Sequence, residues 1–160
     1  MTSGQRGSDG QAPSVQSQSS PYHRHFDGAG GAEGVAQLVE RFYFHMSNRP
    51  EAAAIRALHP QDLTPVREVL TRYFTEWLGG PPIYSTERGH PRLRRRHLPF
   101  RIGEAERDAW MLCMRAALSD VVSDSNLRDE LETAFFKVAD FLRNEAQHAA
   151  AEHPANPTGR

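Results

Sequence analysis

Apolar side chains recur every three or four residues in several segments of this 160-residue chain, and this spacing constrains the fold more than any other feature. Residues at such spacing share one face of an α-helix, whereas a half-buried strand needs strict alternation. No segment alternates in that way. The sequence therefore predicts an all-α fold, with helices at residues 32–47, 51–58, 65–78, 104–119 and 126–150.

Prolines and glycines mark the ends of these helices. Thr64 is predicted to cap the helix that follows, with Pro65 at its first position, where proline is favoured. The run Gly79-Gly80-Pro81-Pro82 ends that helix. Residues 81–96 have little core-forming content and are predicted to be an irregular loop. A long loop inside a small domain is usually functional or disordered.

Composition divides the chain into one folded domain with two tails. Its length allows one hydrophobic core but not two. Residues 1–22 are mostly Gly, Ser and Gln, and such a segment cannot bury enough apolar surface to offset its ordering entropy. We expect a disordered extension at 1–22, a folded domain at 23–150 and a disordered tail at 151–160.

Charge and cysteine content exclude several classes of protein. The net charge of -1 gives no overall attraction to nucleic acid or to an anionic membrane. The single cysteine, Cys113, excludes an intrachain disulfide and a cysteine-based zinc or iron–sulfur site. No apolar run approaches the roughly 20 residues of a membrane helix. Because the N-terminus also lacks a secretory signal, we expect a cytoplasmic protein.

One segment, residues 89–100, combines three kinds of chemistry around His97. The imidazole stands between a run of arginines and the apolar turn Leu98-Pro99-Phe100. Imidazole can ligate a metal, arginines can meet carboxylates, and an apolar turn can lie against a flat ring. Haem offers an iron, two propionates and an apolar macrocycle. The segment therefore predicts a haem binder with His97 as the iron ligand.

Two other interpretations of this segment stay open at this point. The arginines could form a basic patch for nucleic acid, although no aromatic side chains for base stacking are interleaved with them. Pairing with propionates is favoured, because arginine and carboxylate form bidentate charge-assisted bonds. His97 could also be an ordinary loop histidine in a haem-free interaction module. The other histidines show no spacing typical of a bare zinc or iron site.

Tyr43 and Trp110 stand on apolar helix faces, where core packing is the simplest interpretation. Each nevertheless carries a polar group that needs a partner when it is buried. If both face the open axial side of an iron, they supply an O–H and an N–H to a bound diatomic ligand and slow its release. His59 could add a third donor, or it could only shape the turn before Pro60.

Taken together, these segments resemble the group II truncated haemoglobins over about residues 26–142. The resemblance rests on the order and spacing of several motifs. These are Gly30-Gly31, Phe42-Tyr43, His59-Pro60-Gln61-Asp62-Leu63, Trp77-Leu78-Gly79-Gly80-Pro81, Tyr84, Gly89-His90-Pro91, Arg92-Leu93-Arg94-Arg95-Arg96-His97-Leu98-Pro99-Phe100 and Glu106-Arg107-Asp108-Ala109-Trp110.

The resemblance implies a two-over-two helical sandwich, in which a loop replaces the helix before the proximal histidine. It implies haem b with His97 as the proximal ligand, and Trp110, Tyr43 and His59 on the distal side. It also implies that Tyr84 binds a propionate. The remaining expected cofactor contacts are Val66, Val69, Leu70, Phe74, Arg96 and Phe100.

The implied function is reversible binding, and with it transport, of dioxygen or of nitric oxide and carbon monoxide. An alternative is redox catalysis at the same haem, either nitric oxide dioxygenation or peroxidase chemistry. Because the sequence contains no flavin or nicotinamide domain, that alternative needs a separate reductase. We expect a monomer or a homodimer.

Overall fold

All regular secondary structure in the part of the chain that the computed structural model describes, residues 23–152, is helical. This confirms the all-α prediction. The helices are α1 (His23–Gly28), α2 (Gly31–Asn48), a 3-10 turn (Pro50–Ala52), α3 (Ala53–Ala57), α4 (Thr64–Trp77), α5 (Ile83–Arg88), α6 (Leu93–His97), α7 (Glu104–Val121), α8 (Ser125–Phe141) and α9 (Glu145–Glu152).

Helix α2 is the centre of the fold. It packs against both α4 and α7, and α7 in turn packs against α8, which gives the predicted two-over-two arrangement. Burial of each large apolar side chain between these helices contributes about 1.5–3 kcal/mol. The core side chains that are at most 2% exposed include Val35, Leu38, Phe42 and Met46 of α2, Met111, Met114 and Leu118 of α7, and Leu131 and Phe135 of α8.

The junction between α1 and α2 depends on two glycines in the left-handed region. Gly30 has a φ of 98° and Gly31 a φ of 66°, which L side chains rarely adopt. Helix α1 was not predicted, because Phe26 is its single large apolar residue. The Phe26 N–H donates to the Leu78 carbonyl at 3.0 Å, so α1 is attached to the end of α4.

The start of α4 differs from the predicted cap. The helix begins at Thr64 itself, and the Thr64 N–H donates to Asp62 Oδ1 at 2.9 Å. The Asp62 carboxylate, rather than the Thr64 hydroxyl, therefore satisfies a free amide at the helix start.

The prediction of an irregular loop at residues 81–96 is wrong for most of its length, because α5 and α6 form there. Side-chain hydrogen bonds stabilise α5: the Ser85 N–H donates to Glu76 Oε2 at 2.7 Å and Thr86 Oγ1 donates to the Pro82 carbonyl at 2.6 Å. Gly89, with a φ of 73°, then ends α5. Apolar spacing could not reveal helices that polar contacts hold in place.

The predicted single helix at residues 126–150 is also wrong, since α8 ends at Phe141 and α9 begins at Glu145. At the break, the Asn144 N–H donates to the Ile102 carbonyl at 2.8 Å instead of continuing the helix. Helix α9 includes the first two residues of the predicted tail. The expectations for residues 1–22 and 153–160 lie outside the described residues. No helix within residues 23–152 is long and apolar enough to cross a membrane.

Gly34, buried in the first turns of α2, provides a test of this packing. Helix propensity alone favours Gly34→Ala by up to about 1 kcal/mol. A Cβ at this position would, however, overlap the Ala29 carbonyl oxygen, and overpacking against backbone costs about 1–3 kcal/mol. We therefore expect Gly34→Ala to lower the free energy of unfolding by about 1–2 kcal/mol in denaturant titrations.

Ala36→Ser, on the exposed face of the same helix, is the matched control and should change that free energy by less than about 0.5 kcal/mol. A Gly34→Ala protein more stable than the parent would contradict the packing at this junction.

Candidate functional site

His97 is the last residue of α6, and its side chain is half-buried. Its Nδ1 lies 2.6 Å from the Leu93 carbonyl oxygen, so Nδ1 carries the proton and donates it. Its Nε2 makes no hydrogen bond within the described residues. A histidine that ligates a metal is typically oriented in this way through its other ring nitrogen. The His97 Nε2 lone pair is therefore free to act as a ligand.

The turn after His97 leaves apolar rings and side chains at the surface. The Phe100 N–H donates to the His97 carbonyl at 3.0 Å and closes the turn. Leu98 is 47% exposed and Phe100 is 38% exposed. Two such side chains beside an available imidazole fit a flat apolar ligand better than water.

Tyr43 of α2 is buried, 5% exposed, and its ring packs edge-on against Phe42 and His59 at centroid distances of 5.1 and 5.7 Å. Burial raises the pKa of its hydroxyl to about 12, although the charges of Arg56 and Arg67 oppose the shift. The O–H therefore remains a donor at neutral pH. The hydroxyl has no hydrogen-bond partner among the described residues. Every polar side-chain atom there that is sealed from solvent does have a partner, so the Tyr43 oxygen is not sealed. The hydroxyl thus borders space that a small ligand can enter.

His59 lies beside Tyr43 in a neutral form. Its Nδ1 is 2.8 Å from the Ile55 carbonyl oxygen. Burial lowers the pKa of the imidazole, and the nearby Arg56 guanidinium and His97 ring lower it further, against the effect of the bond to Ile55. With the Nδ1 proton donated to Ile55, the neutral ring offers a lone pair at Nε2. His59 is therefore placed as an acceptor rather than as the third donor considered from sequence.

Arg56 holds the turn that carries His59. Its guanidinium donates to the carbonyls of Pro60 and Gln61, each at 3.0 Å. A cleft of about 620 Å³ opens here between the end of α2, α3 and this turn. His59 and Met46 both line the cleft, so His59 stands between open space and the Tyr43 ring.

Trp110 of α7 is half-buried and joins the same aromatic cluster. Its ring lies 5.0 Å from Phe42 and 6.0 Å from Phe135. The Phe42 ring therefore connects Trp110 with Tyr43. The Trp110 Nε1–H makes no hydrogen bond to the described residues and remains available as a donor.

Helix α4 contributes an incompletely covered apolar face. Val66 and Leu70 pack against the core but are only partly buried, and Val69 is half-buried as well. Phe74 is instead 3% exposed and packs on Phe135 at 5.0 Å. Of the four predicted contacts on this helix, Phe74 therefore lies in the core itself, while the other three retain open surface.

The side chains of Tyr84 and Arg96 form no hydrogen bond with His97 in the described structure. Tyr84 is 3% exposed and packs edge-on against Tyr73 at 5.6 Å, and no hydrogen bond, ion pair or aromatic contact joins it to His97. Burial, with smaller effects from Tyr84 and Glu76, raises the pKa of the Tyr73 hydroxyl to about 12. Arg96 is exposed, and no carboxylate of the described residues lies within 4.0 Å of its guanidinium.

Asn144 is the residue that sequence reasoning missed. It is buried, 4% exposed, and it contacts the segment that follows His97. The signal available in the sequence was Asn144-Glu145, since asparagine followed by an acidic residue is typical of a helix start. Apolar residues at helical spacing on both sides of Asn144 predicted one continuous helix instead of a new helix beginning at Glu145.

The residues of this site fit a haem. Within the described residues, no group of three His, Cys, Asp or Glu side chains could hold a bare metal ion. A single imidazole is sufficient only when a macrocycle supplies the other ligands. The free Nε2 of His97 could bind an iron, and the open apolar side chains of α4 and of the turn after α6 could lie against the ring. Arg96, which pairs with no carboxylate of the described residues, could meet a propionate.

Comparison with known proteins identifies the family of this chain. A family model described as bacterial-like globin matches residues 24–147. The group 2 truncated haemoglobin YjbI of Bacillus subtilis (strain 168) is 39% identical over 116 residues, which cover 72% of this chain and 82% of that relative. The chain belongs to the group II truncated haemoglobins.

Solved structures of related globins share the fold. The cold-adapted truncated haemoglobin of Pseudoalteromonas haloplanktis TAC125 gives a TM-score of 0.73 at 35% identity, covering 75% of this chain and 97% of that one. The group II 2-on-2 haemoglobin of Agrobacterium tumefaciens gives 0.72 at 41% identity, covering 75% and 93%. The resemblance and the two-over-two fold are thereby confirmed, and family membership implies a haem cofactor and small gaseous ligands.

The lowered pKa of His59 in this globin leads to a prediction. The His59 ring should titrate below the ordinary histidine pKa of about 6.5. NMR of the carbon monoxide complex can measure this pKa through the ring carbon and nitrogen chemical shifts. Because the folded pKa lies below the unfolded one, the unfolded chain binds more protons as pH falls below about 6.5, and stability declines. His59→Phe should lose less stability than the parent between pH 7 and 5.

The His59→Phe protein also identifies the His59 resonances, since they alone should vanish from its spectra. Titration of His59 at or above the ordinary value would contradict the buried, neutral ring.

Proposed function

We propose that this globin binds haem b through His97 and reversibly binds dioxygen, nitric oxide or carbon monoxide. The observation that carries the proposal is the 2.6 Å contact between His97 Nδ1 and the Leu93 carbonyl, which leaves Nε2 free. When bound, haem would supply an iron that His97 holds and that can bind a diatomic gas.

The chain would hold the group by three kinds of contact. His97 Nε2 would supply the axial bond, and its proton donation to Leu93 would make the imidazole a better electron donor. Apolar side chains would cover the ring and exclude water. The residues proposed for the ring are Val66, Val69, Leu70, Phe74 and Phe100, and those proposed for the propionates are Tyr84 and Arg96.

On the distal side, Trp110 and Tyr43 would donate hydrogen bonds to the ligand. Neither donor has a hydrogen-bond partner among the described residues, and both rings pack on Phe42. Donors that are fixed in advance stabilise negative charge on a ligand without reorganisation. His59 would act through Tyr43 by packing, since its ring lies edge-on against the phenol ring at 5.7 Å and limits how that ring can turn.

A second candidate function is nitric oxide dioxygenation or peroxidase chemistry with an external reductase. The exposed arginines 92, 94, 95 and 96 favour it, because no carboxylate of the described residues pairs with them. An unneutralised basic surface beside His97 is suited to an acidic partner protein. Turnover of nitric oxide in the presence of a reductase distinguishes this function from ligand binding alone.

Removal of the proximal imidazole tests the proposed function directly. His97→Gly should abolish the absorption spectrum of a histidine-ligated haem, because no other described side chain occupies that position. Added free imidazole should restore the spectrum. His25→Gly is the matched control, since it removes an imidazole that pairs with Glu130 far from α6. An unchanged spectrum in the His97→Gly protein would overturn the assignment.

Trp110→Phe tests the distal donor. Phenylalanine keeps a ring against Phe42 and Phe135 but lacks the N–H. We expect dioxygen to dissociate roughly ten- to a hundredfold faster in stopped-flow measurements, since a hydrogen bond to a charged group contributes about 1.5–3 kcal/mol. Trp77→Phe, whose ring packs on Phe135 at 4.8 Å at the other end of the cluster, should change the rate by less than about threefold. Equal rates in the parent and Trp110→Phe would exclude the donor role.

A further inference from the structure

Asn144 occupies the break between α8 and α9, where a buried polar side chain needs partners. It is 4% exposed. Its Nδ2 donates to the His97 carbonyl at 3.1 Å and to the Phe100 carbonyl at 2.8 Å. Its Oδ1 accepts from the Ile102 N–H at 2.8 Å. Every hydrogen-bonding group of the side chain is therefore used.

All of these bonds reach one short segment, residues 97–102. The Asn144 backbone N–H adds a further bond to the Ile102 carbonyl at 2.8 Å. Asn144, more than 40 positions later in the chain, thus hydrogen-bonds to the backbone of three residues, His97, Phe100 and Ile102. Because these bonds go to backbone atoms, they fix the path of the chain and do not depend on which side chains residues 97–102 carry.

Apart from Asn144, helix α6 is held by surface contacts: the Arg94 guanidinium lies over the exposed Phe141 ring of α8, 5.0 Å from its centroid. None of the α6 residues is buried, so the apolar packing that fixes α2 or α7 is missing here. The other contacts from α9 are exposed: His148 Nε2 lies 3.2 Å from the Phe100 carbonyl, and Arg101 pairs with Glu152 at 3.1 Å. Exposed pairs of this kind contribute little. Asn144 is the buried anchor of the segment.

We propose that Asn144 is a positioning residue for His97, acting through the carbonyls of His97 and Phe100. This inference rests on the proposed function, because it concerns the histidine assigned to the iron. By fixing the end of α6, Asn144 keeps the His97 ring where Nδ1 meets the Leu93 carbonyl. The axial imidazole then has one orientation and one hydrogen-bonding state.

Two variants of the haem-loaded protein test the inference. Asn144→Leu removes all three side-chain hydrogen bonds at similar volume. Asn144→Asp keeps an acceptor for the Ile102 N–H but replaces both donors with lone pairs that face the carbonyls of His97 and Phe100. If the donors position His97, both variants should behave alike, although Asn144→Asp retains one of the three side-chain hydrogen bonds.

The readouts are the iron–histidine stretching band of the ferrous protein in resonance Raman spectra, and the rate of haem transfer to excess apomyoglobin. In both variants we expect the band to broaden and to move to lower frequency, because the Nδ1 hydrogen bond becomes less constrained. We expect haem transfer to be faster by about tenfold or more, since the part-buried carbonyls of His97 and Phe100 lose their donors.

Arg128→Met is the matched control. Arg128 donates to the carbonyls of Val122 and Ser123 at 2.7 and 3.0 Å and so holds the connection between α7 and α8. Its loss should lower stability without moving the iron–histidine band. An equal shift in the control and the Asn144 variants would mean a merely structural effect and would overturn the inference.

The other outcomes are equally decisive. A parental band and a parental transfer rate in Asn144→Asp would overturn the inference, even if Asn144→Leu failed to fold. A wild-type protein that bound no haem, or a band unaffected by His97→Gly, would instead be a failure of the proposed function. The His97 and Asn144 variants therefore separate the two claims.

Discussion

The hydrogen bond from His97 Nδ1 to the Leu93 carbonyl, 2.6 Å long, determines what the site can do. It spans one turn of α6, so it exists only because residues 93–97 are helical. It assigns the proton to one ring nitrogen and leaves the other as a ligand. The remaining features of the site, apolar walls and distal donors, matter only if that lone pair is held in one direction.

The side that we propose as distal is organised by packing rather than by polar contacts. Phe42 is 1% exposed and touches the rings of both Tyr43 and Trp110, which come from α2 and α7. Because α2 and α7 form the central contact of the core, the two donors are as rigid as the core itself. The proximal side has no comparable packing. There, a short helix with no buried residue is held through the single buried amide of Asn144.

Helix periodicity predicted the long helices well, since α2, α4 and α7 each carry an apolar stripe that faces the core. It failed wherever polar contacts decide the structure. Helices α5 and α6 form in a segment without such a stripe, and Glu76 stabilises the first of them from α4. The division of α8 from α9 depends on Ile102, which lies 42 positions before Asn144 and is invisible to a local pattern.

The sequence by itself determined the helical class and the family, because spacing and motif order are local properties of the chain, and its residue chemistry predicted His97 as the iron ligand. It could not decide the tautomer of His59, the attachment of Phe74 to the core or the role of Asn144. Those depend on which carbonyl, ring or charge a distant segment brings within a few ångströms. Burial, and with it the pKa of a buried group, is decided only when the helices pack.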